Sequence, residues 1–162
     1  MAIIFNDIDI QRFVLEDKIL PSDLDKRLQL KPKRGHRESE LSIVGSNGSE
    51  FRLILRQSNF NSIDFSIILA YSLPNSNQLF RLHRYNGKHQ HTNTLEGNTF
   101  YDFHIHKATE RYQESGFRED TYAEPTKRYS DLRGALSALL SDCNFKENQG
   151  GQPTLFDDRS EQ

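Results

Sequence analysis

The spacing of hydrophobic residues changes three times along the chain. Up to about residue 30 they recur at three- and four-residue intervals, as Ile10, Phe13 and Val14 and then as Leu24 and Leu28. This spacing predicts two helices. Asn6-Asp7 stands where a first N-cap belongs, and Pro21-Ser22-Asp23 reads as a second start with Ser22 as cap. From residue 41 the pattern turns β-like. "LSIVGSNGSEFRLILRQS" holds two short runs around Asn47-Gly48, a pair that tolerates positive φ and predicts a hairpin. "FSIILAYSL" (65–73), the most apolar run, reads as a central strand, and "NQLFRLHRY" (77–85) and "TFYDFHIHK" (99–107) follow. About five strands with short links predict a mainly antiparallel meander.

After residue 107 the pattern changes again. "ATERYQESG" fits a short helix ended by Gly116 or a continued strand. "YSDLRGALSALLSDCN" predicts a helix with Ser130 as cap and Leu132, Leu136, Leu139 and Leu140 in one stripe. From Lys146 the chain is polar and rich in Gly and Gln. The expected fold class is therefore α+β: a mainly antiparallel sheet of about five strands, helices near both ends, and a flexible C-terminal tail. The expected division is a single domain over 1–145 and a tail over 146–162.

Composition narrows the setting. The chain has 162 residues, of which 35% are hydrophobic, and a mean hydropathy of −0.76. Eleven Phe and six Tyr supply a core in spite of that polarity. The one cysteine, Cys143, has no partner for an internal disulfide, and no apolar run is long enough to span a bilayer. A cytoplasmic protein without membrane association is the expectation. The net charge of −2 excludes a global field for nucleic acid. Positive charge is local: "KPKRGHR" (31–37), and Arg81, Arg84, Lys88 and Lys107 against Glu96 and Asp102 within 81–107. Such a patch suits a bounded anionic ligand better than coating of a long duplex.

That second stretch also holds five of the six histidines: His83, His89, His91, His104 and His106. Strand alternation puts Phe103 and Ile105 on one face and Asp102, His104 and His106 on the other. It likewise separates Phe80 and Leu82 from Arg81, His83 and Tyr85. Asn86-Gly87 reads as a two-residue turn that sets Tyr85 opposite Lys88 and returns His89 and His91 beside the preceding strand. Three chemistries fit such a cluster. The histidines can work as general acid and base on a phosphodiester, with Arg84 or Arg111 taking the phosphate charge. A His-x-His pair can bind a transition metal with Asp102 adding an oxygen. Or the imidazoles can be hydrogen-bonded structure on a polar sheet face. The catalytic candidates are His83, Arg84, His91, His104 and His106. No cofactor and no tightly bound zinc are expected, because the cluster has no thiolates and no clear tetrahedral set.

"FRLHRYNGKHQHTNTLEGNTFYDFHIHKATERYQ" together with "RYSDLRGALSALLSDCNF" resembles a family of small prokaryotic domains of unknown function over about residues 78–145. Over 84–106 the chain is distantly similar to the TumE-type toxins of bacterial toxin–antitoxin pairs. The matching positions are Arg84, Tyr85, Asn86, one of His89 or His91, His104 and His106. "NGK" stands where those toxins have an Asp-Asn-Ala-Pro step. The resemblance implies a defence or toxin–antitoxin setting, with nucleic acid as target and an antitoxin as protein partner.

The tail segment "GGQPTLFDD" (150–158) sets Leu155 and Phe156 in polar surroundings. Gln152, Leu155 and Phe156 resemble the short peptide by which bacterial DNA-repair and replication proteins dock to the sliding clamp. Two apolar anchors entering a preformed pocket, with a Gln amide fixing register, is the physics of such docking. The pair can instead fold back on its own domain. The function expected is that of a small nucleic-acid-acting protein, with ribonuclease-like chemistry on the His/Arg face. The alternative is a non-enzymatic module that docks a partner such as the sliding clamp through its tail.

Overall fold

The structure, a computed structural model, describes residues 3–147. Helix α1 (Asp7–Leu15) begins at Asn6, whose side chain accepts from the Asp9 amide, and buries Ile10 and Val14. A two-residue strand β1 (Lys18–Ile19) and a single turn of helix α2 (Leu24–Arg27) follow. The cap of α2 is Asp23 rather than Ser22, and it makes no side-chain capping bond. Seven strands then form one sheet in chain order: β2 (Lys31–Lys33), β3 (His36–Val44), β4 (Glu50–Ser58), β5 (Phe65–Ser72), β6 (Leu79–Thr92), β7 (Thr99–Lys107) and β8 (Ala123–Pro125). Every neighbouring pair in this sheet is antiparallel.

The meander is thus longer than the five strands expected. The two additional strands are three-residue edges whose sequences are too short to show alternation. One of them, β2, lies within the basic run 31–37, which forms an edge hairpin through Gly35 at φ +80. Lysines on an exposed edge discourage pairing with another chain.

"ATERYQESG" resolves as a helix, α3 (Glu110–Glu114), capped by Thr109 and closed by Gly116 at φ +85. Helix α4 (Leu132–Asp142) carries the expected leucine stripe, but its cap is Asp131, whose carboxylate accepts from the Gly134 amide at 2.8 Å. A short strand β9 (Phe145–Lys146) pairs in parallel with β1. Lys146, expected as the first tail residue, therefore belongs to a sheet.

One face of the large sheet carries the core. Leu41, Ile43, Phe51, Leu53, Leu55, Phe65, Ile67, Leu69, Phe80, Leu82, Tyr85 and Ile105 pack there with residues of α1, α2 and α4. Lys18 is fully buried where α1 and α4 end. Its ammonium donates to the carbonyls of Phe13, Val14, Glu16 and Cys143 at 2.8 to 3.0 Å, which satisfies helix-terminal acceptors that would otherwise stay unpaired. The opposite face has only a small apolar patch of Ile54, Ile68 and Ala70. Among the described residues no helix is long and apolar enough to cross a membrane.

Candidate functional site: a histidine cluster on the open sheet face

Two irregularities in β6 decide where its side chains go. Against β5, Leu69 faces His83 and Ala70 faces Arg81, so Leu82 has no partner. Against β7, Asn86 faces His104 and Lys88 faces Phe103, so Gly87 has none. Each extra residue shifts the alternation by one position. Asn86-Gly87 is therefore not a turn. The strand runs on for 14 residues, and the Lys88 amide donates to the Ile63 carbonyl at 3.0 Å. Gly87 is required here by close approach, because a Cβ at that position would lie 1.8 Å from the Ile63 carbonyl oxygen.

The first bulge removes His83 from the expected site. His83 faces the helices, with Nδ1 3.7 Å from the Cys143 sulfur and its ring 6.1 Å from that of Tyr85. Burial holds its pKa down at about 4. Tyr85 is also in the core, donating to Asp142. Arg84, the intervening residue, points to the open face.

The second bulge bends the β6–β7 hairpin. His91 is paired with Phe100, whereas His106 is paired with Arg84. The six residue steps from Phe100 to His106 would separate the two histidines by ~20 Å along a flat ladder. Their ring centroids are instead 4.8 Å apart. The loop after β6 is tied back across the open face. Asn93 exchanges two hydrogen bonds with the Ala123 backbone on β8 (2.8 and 2.9 Å), and the Leu95 amide donates to the Tyr112 hydroxyl. Glu96 pairs with Arg111, which also lies over the Tyr112 and Tyr122 rings at 5.2 and 5.0 Å. Arg111 is thus part of this fastening rather than of the cluster.

Four histidines meet as a result. His104 lies with its ring centroid 4.6 Å from His89, 5.5 Å from His91 and 5.0 Å from His106. Phe100 packs 5.6 Å from both His91 and His104. His104 and His106 are buried, and His89 and His91 are half-buried. One ring nitrogen from each of His91, His104 and His106 falls within 4.8 Å of the others.

The hydrogen bonds fix which nitrogens carry protons. His104 Nδ1 lies 2.8 Å from the Asp102 carbonyl and His106 Nδ1 lies 2.8 Å from the Asp120 carbonyl. A carbonyl only accepts, so both Nδ1 atoms donate and both Nε2 atoms keep a lone pair. His91 Nε2 lies 2.9 Å from Asn93 Oδ1. That amide cannot be flipped, because its oxygen already accepts from the Ala123 amide and its nitrogen donates to the Ala123 carbonyl. His91 therefore donates through Nε2, and its lone pair is on Nδ1. His104 Nε2 is buried and has no hydrogen-bond partner. Burial depresses His104 to about 4 and His106 further, so both rings are neutral at pH 7. His89 is lowered for the same reason.

Positive charge adjoins these neutral rings. The fully buried Asp120 gathers Arg84 (Nε to Oδ2, 3.0 Å), Arg118 (Nε to Oδ1, 3.3 Å) and Arg81 (Nε to Oδ2, 3.6 Å). Arg81 also reaches Glu119 at 3.4 Å. Asp120 thus orients His106 through its carbonyl and three guanidinium groups through its carboxylate.

Of the five catalytic candidates, Arg84, His91, His104 and His106 come together, and His83 does not. Asp102 contributes its backbone carbonyl to His104 and is not in the convergent set. Asn93 and Asp120 escaped sequence reasoning, since neither has a periodic or motif signal. Gln152, Leu155 and Phe156 lie outside the described residues. Comparisons of the chain with protein-family models, with curated proteins and with solved structures found no match.

Proposed function

We propose that the open face of β6, β7 and β8 binds and processes a phosphate-bearing substrate, with single-stranded nucleic acid as the class. The observation that carries this reading is the grouping around Asp120. Three arginines on one buried carboxylate leave net positive charge beside neutral histidines, and Arg84 is the cross-strand neighbour of His106. A guanidinium held in place by a buried carboxylate is preorganised for a phosphate oxygen. The rings act on the ligand through lone pairs, because His104 and His106 are neutral at pH 7 and cannot grip an anion by charge. The likeness to TumE-type toxins supports nucleic acid over a small phosphate ester, and a toxin–antitoxin setting belongs to the same proposal.

Fluorescence anisotropy with a labelled single-stranded RNA tests this. Binding is expected to weaken as salt rises, since each phosphate contact releases counterions. Arg84→Gln is expected to lower affinity about tenfold, a charged hydrogen bond's worth. Undetectable binding, or equal binding by the variant with its fold retained, contradicts the reading.

A further inference from the structure

A purely structural histidine cluster should pair its ring nitrogens. The cluster on the open face does so on one side only. Each of three rings donates to an acceptor that the fold holds in place: the Asp102 carbonyl, the Asp120 carbonyl and the Asn93 amide oxygen. The other nitrogens, Nε2 of His104 and His106 and Nδ1 of His91, keep their lone pairs. For His104 this leaves a buried Nε2 with no donor to meet it. An unpaired buried acceptor costs about 1–3 kcal/mol. A fold that carries this cost in its most buried histidine is built for something that takes up the lone pair.

A proton does not fit that role, because burial disfavours the imidazolium. A bound water would satisfy one nitrogen but gives no reason for three neighbouring rings each to donate one nitrogen to a fixed acceptor. A divalent cation accounts for all three. A metal-bound histidine characteristically donates its other ring N–H to a carbonyl or carboxylate, and this outer contact fixes the tautomer and the ring plane. His104 and His106 show that arrangement with carbonyls, and His91 shows it with an amide oxygen.

We propose that His91, His104 and His106 form a three-histidine site for a divalent transition metal of the zinc class. The dimensions fit. One nitrogen from each ring lies within 4.8 Å of the other two, which leaves a common point about 2.8 Å from each at most, against Zn–N bonds of about 2.0–2.1 Å. Closing the remaining gap, at most about 0.8 Å, requires the rings to draw together on binding, and the half-buried His91 is the least confined of the three. Neutral imidazole suits zinc, copper, iron and nickel, and a site of three histidines leaves a coordination position open. Phe100, packed on two of the rings, supplies an apolar wall. Thiolates, whose absence argued against zinc from sequence, are not needed where three imidazoles each keep a lone pair. The site stands independently of the RNA reading, since the metal can bind whether or not nucleic acid does.

The test is zinc binding by the full chain, prepared without a histidine tag and stripped with chelator. Titration calorimetry with zinc chloride is expected to give about one zinc per chain. Cobalt(II) chloride in place of zinc should give the visible absorption of a four-coordinate nitrogen site. His106→Gln and His91→Gln should each weaken zinc at least tenfold, and His36→Gln, remote from the cluster, should leave it unchanged. Asn93→Leu keeps all three ligands and removes one outer contact; it should weaken zinc about tenfold, and less than either ligand variant does. Circular dichroism confirms that each variant is folded. A wild-type chain that takes up no zinc overturns the site, and this outcome needs no variant. Zinc that binds equally well to folded His106→Gln and His91→Gln overturns it too, because the metal is then held elsewhere.

Discussion

The two faces of the β6–β7 hairpin use the same residue type in opposite ways. On the helix-covered face, His83 stands between Cys143 and Tyr85, inside a core that includes Leu82 and Ile105. On the open face, His104 has one nitrogen on a carbonyl and the other on nothing. His104 is buried and His83 half-buried, yet desolvation holds both near a pKa of about 4. A depressed pKa therefore does not distinguish a core histidine from a site histidine. What differs is company: His83 has neighbours that belong to the core, whereas His104 is ringed by three further imidazoles, of which His91 and His106 have fixed tautomers.

The sharpest way to break this division is at Gly87. Any Cβ there overlaps the Ile63 carbonyl, a backbone group that cannot swing aside. Gly87→Ala is expected to destabilise the fold by about 3 kcal/mol or more, as overpacking against backbone does. The loss should appear in urea unfolding, and any residual folded protein should have lost the histidine cluster.

Substitutions on the two faces should then separate. Leu82→Ala, on the helix face and fully buried, is expected to cost about 2–4 kcal/mol. His104→Leu, on the open face and equally buried, is expected to change stability by no more than about 1 kcal/mol, since it removes an unpaired nitrogen along with one hydrogen bond. Equal losses in the two variants would mean that His104 is core.

The contrast also explains how much could be read in advance. The helices at Ile10 and Val14 and at Leu136, Leu139 and Leu140 were legible because helical period is local. So was the pairing of His104 with His106 on one face, two residues apart in an uninterrupted strand. The departure of His83 was not, because it depends on a bulge, and His91 was expected in the cluster by a turn at Asn86-Gly87 where the structure has a bulge. A bulge is set by how neighbouring strands approach, and Asn86-Gly87 offers the same residues to a turn as to a bulge. Asn93 and Asp120 act from a loop and from the segment before β8, where no period marks them.

Acid gives a smaller effect that compares the faces in one experiment. Above about pH 6.5, His83 is neutral in folded and unfolded chains alike and contributes no slope. Between about 6.5 and about 4 only the unfolded chain takes up its proton, so stability falls as pH drops, and the slope from this group flattens below about 4. Lys107 and Lys18 reinforce the depression of His83, and Asp142 and Glu124 oppose it. His83→Gln should make stability less dependent on pH in that window. Urea unfolding between pH 7.5 and 4.5 measures the difference.

The claim on which the site rests is that the fold fixes three tautomers so that their lone pairs are free for a ligand. Long-range proton–nitrogen correlation NMR of the metal-free chain reads this directly. His104 and His106 should be single Nδ1–H tautomers and His91 a single Nε2–H tautomer, with His104 still neutral at pH 5.5. Averaged tautomers in these rings, or a His104 that takes up a proton near pH 6.5, would contradict it.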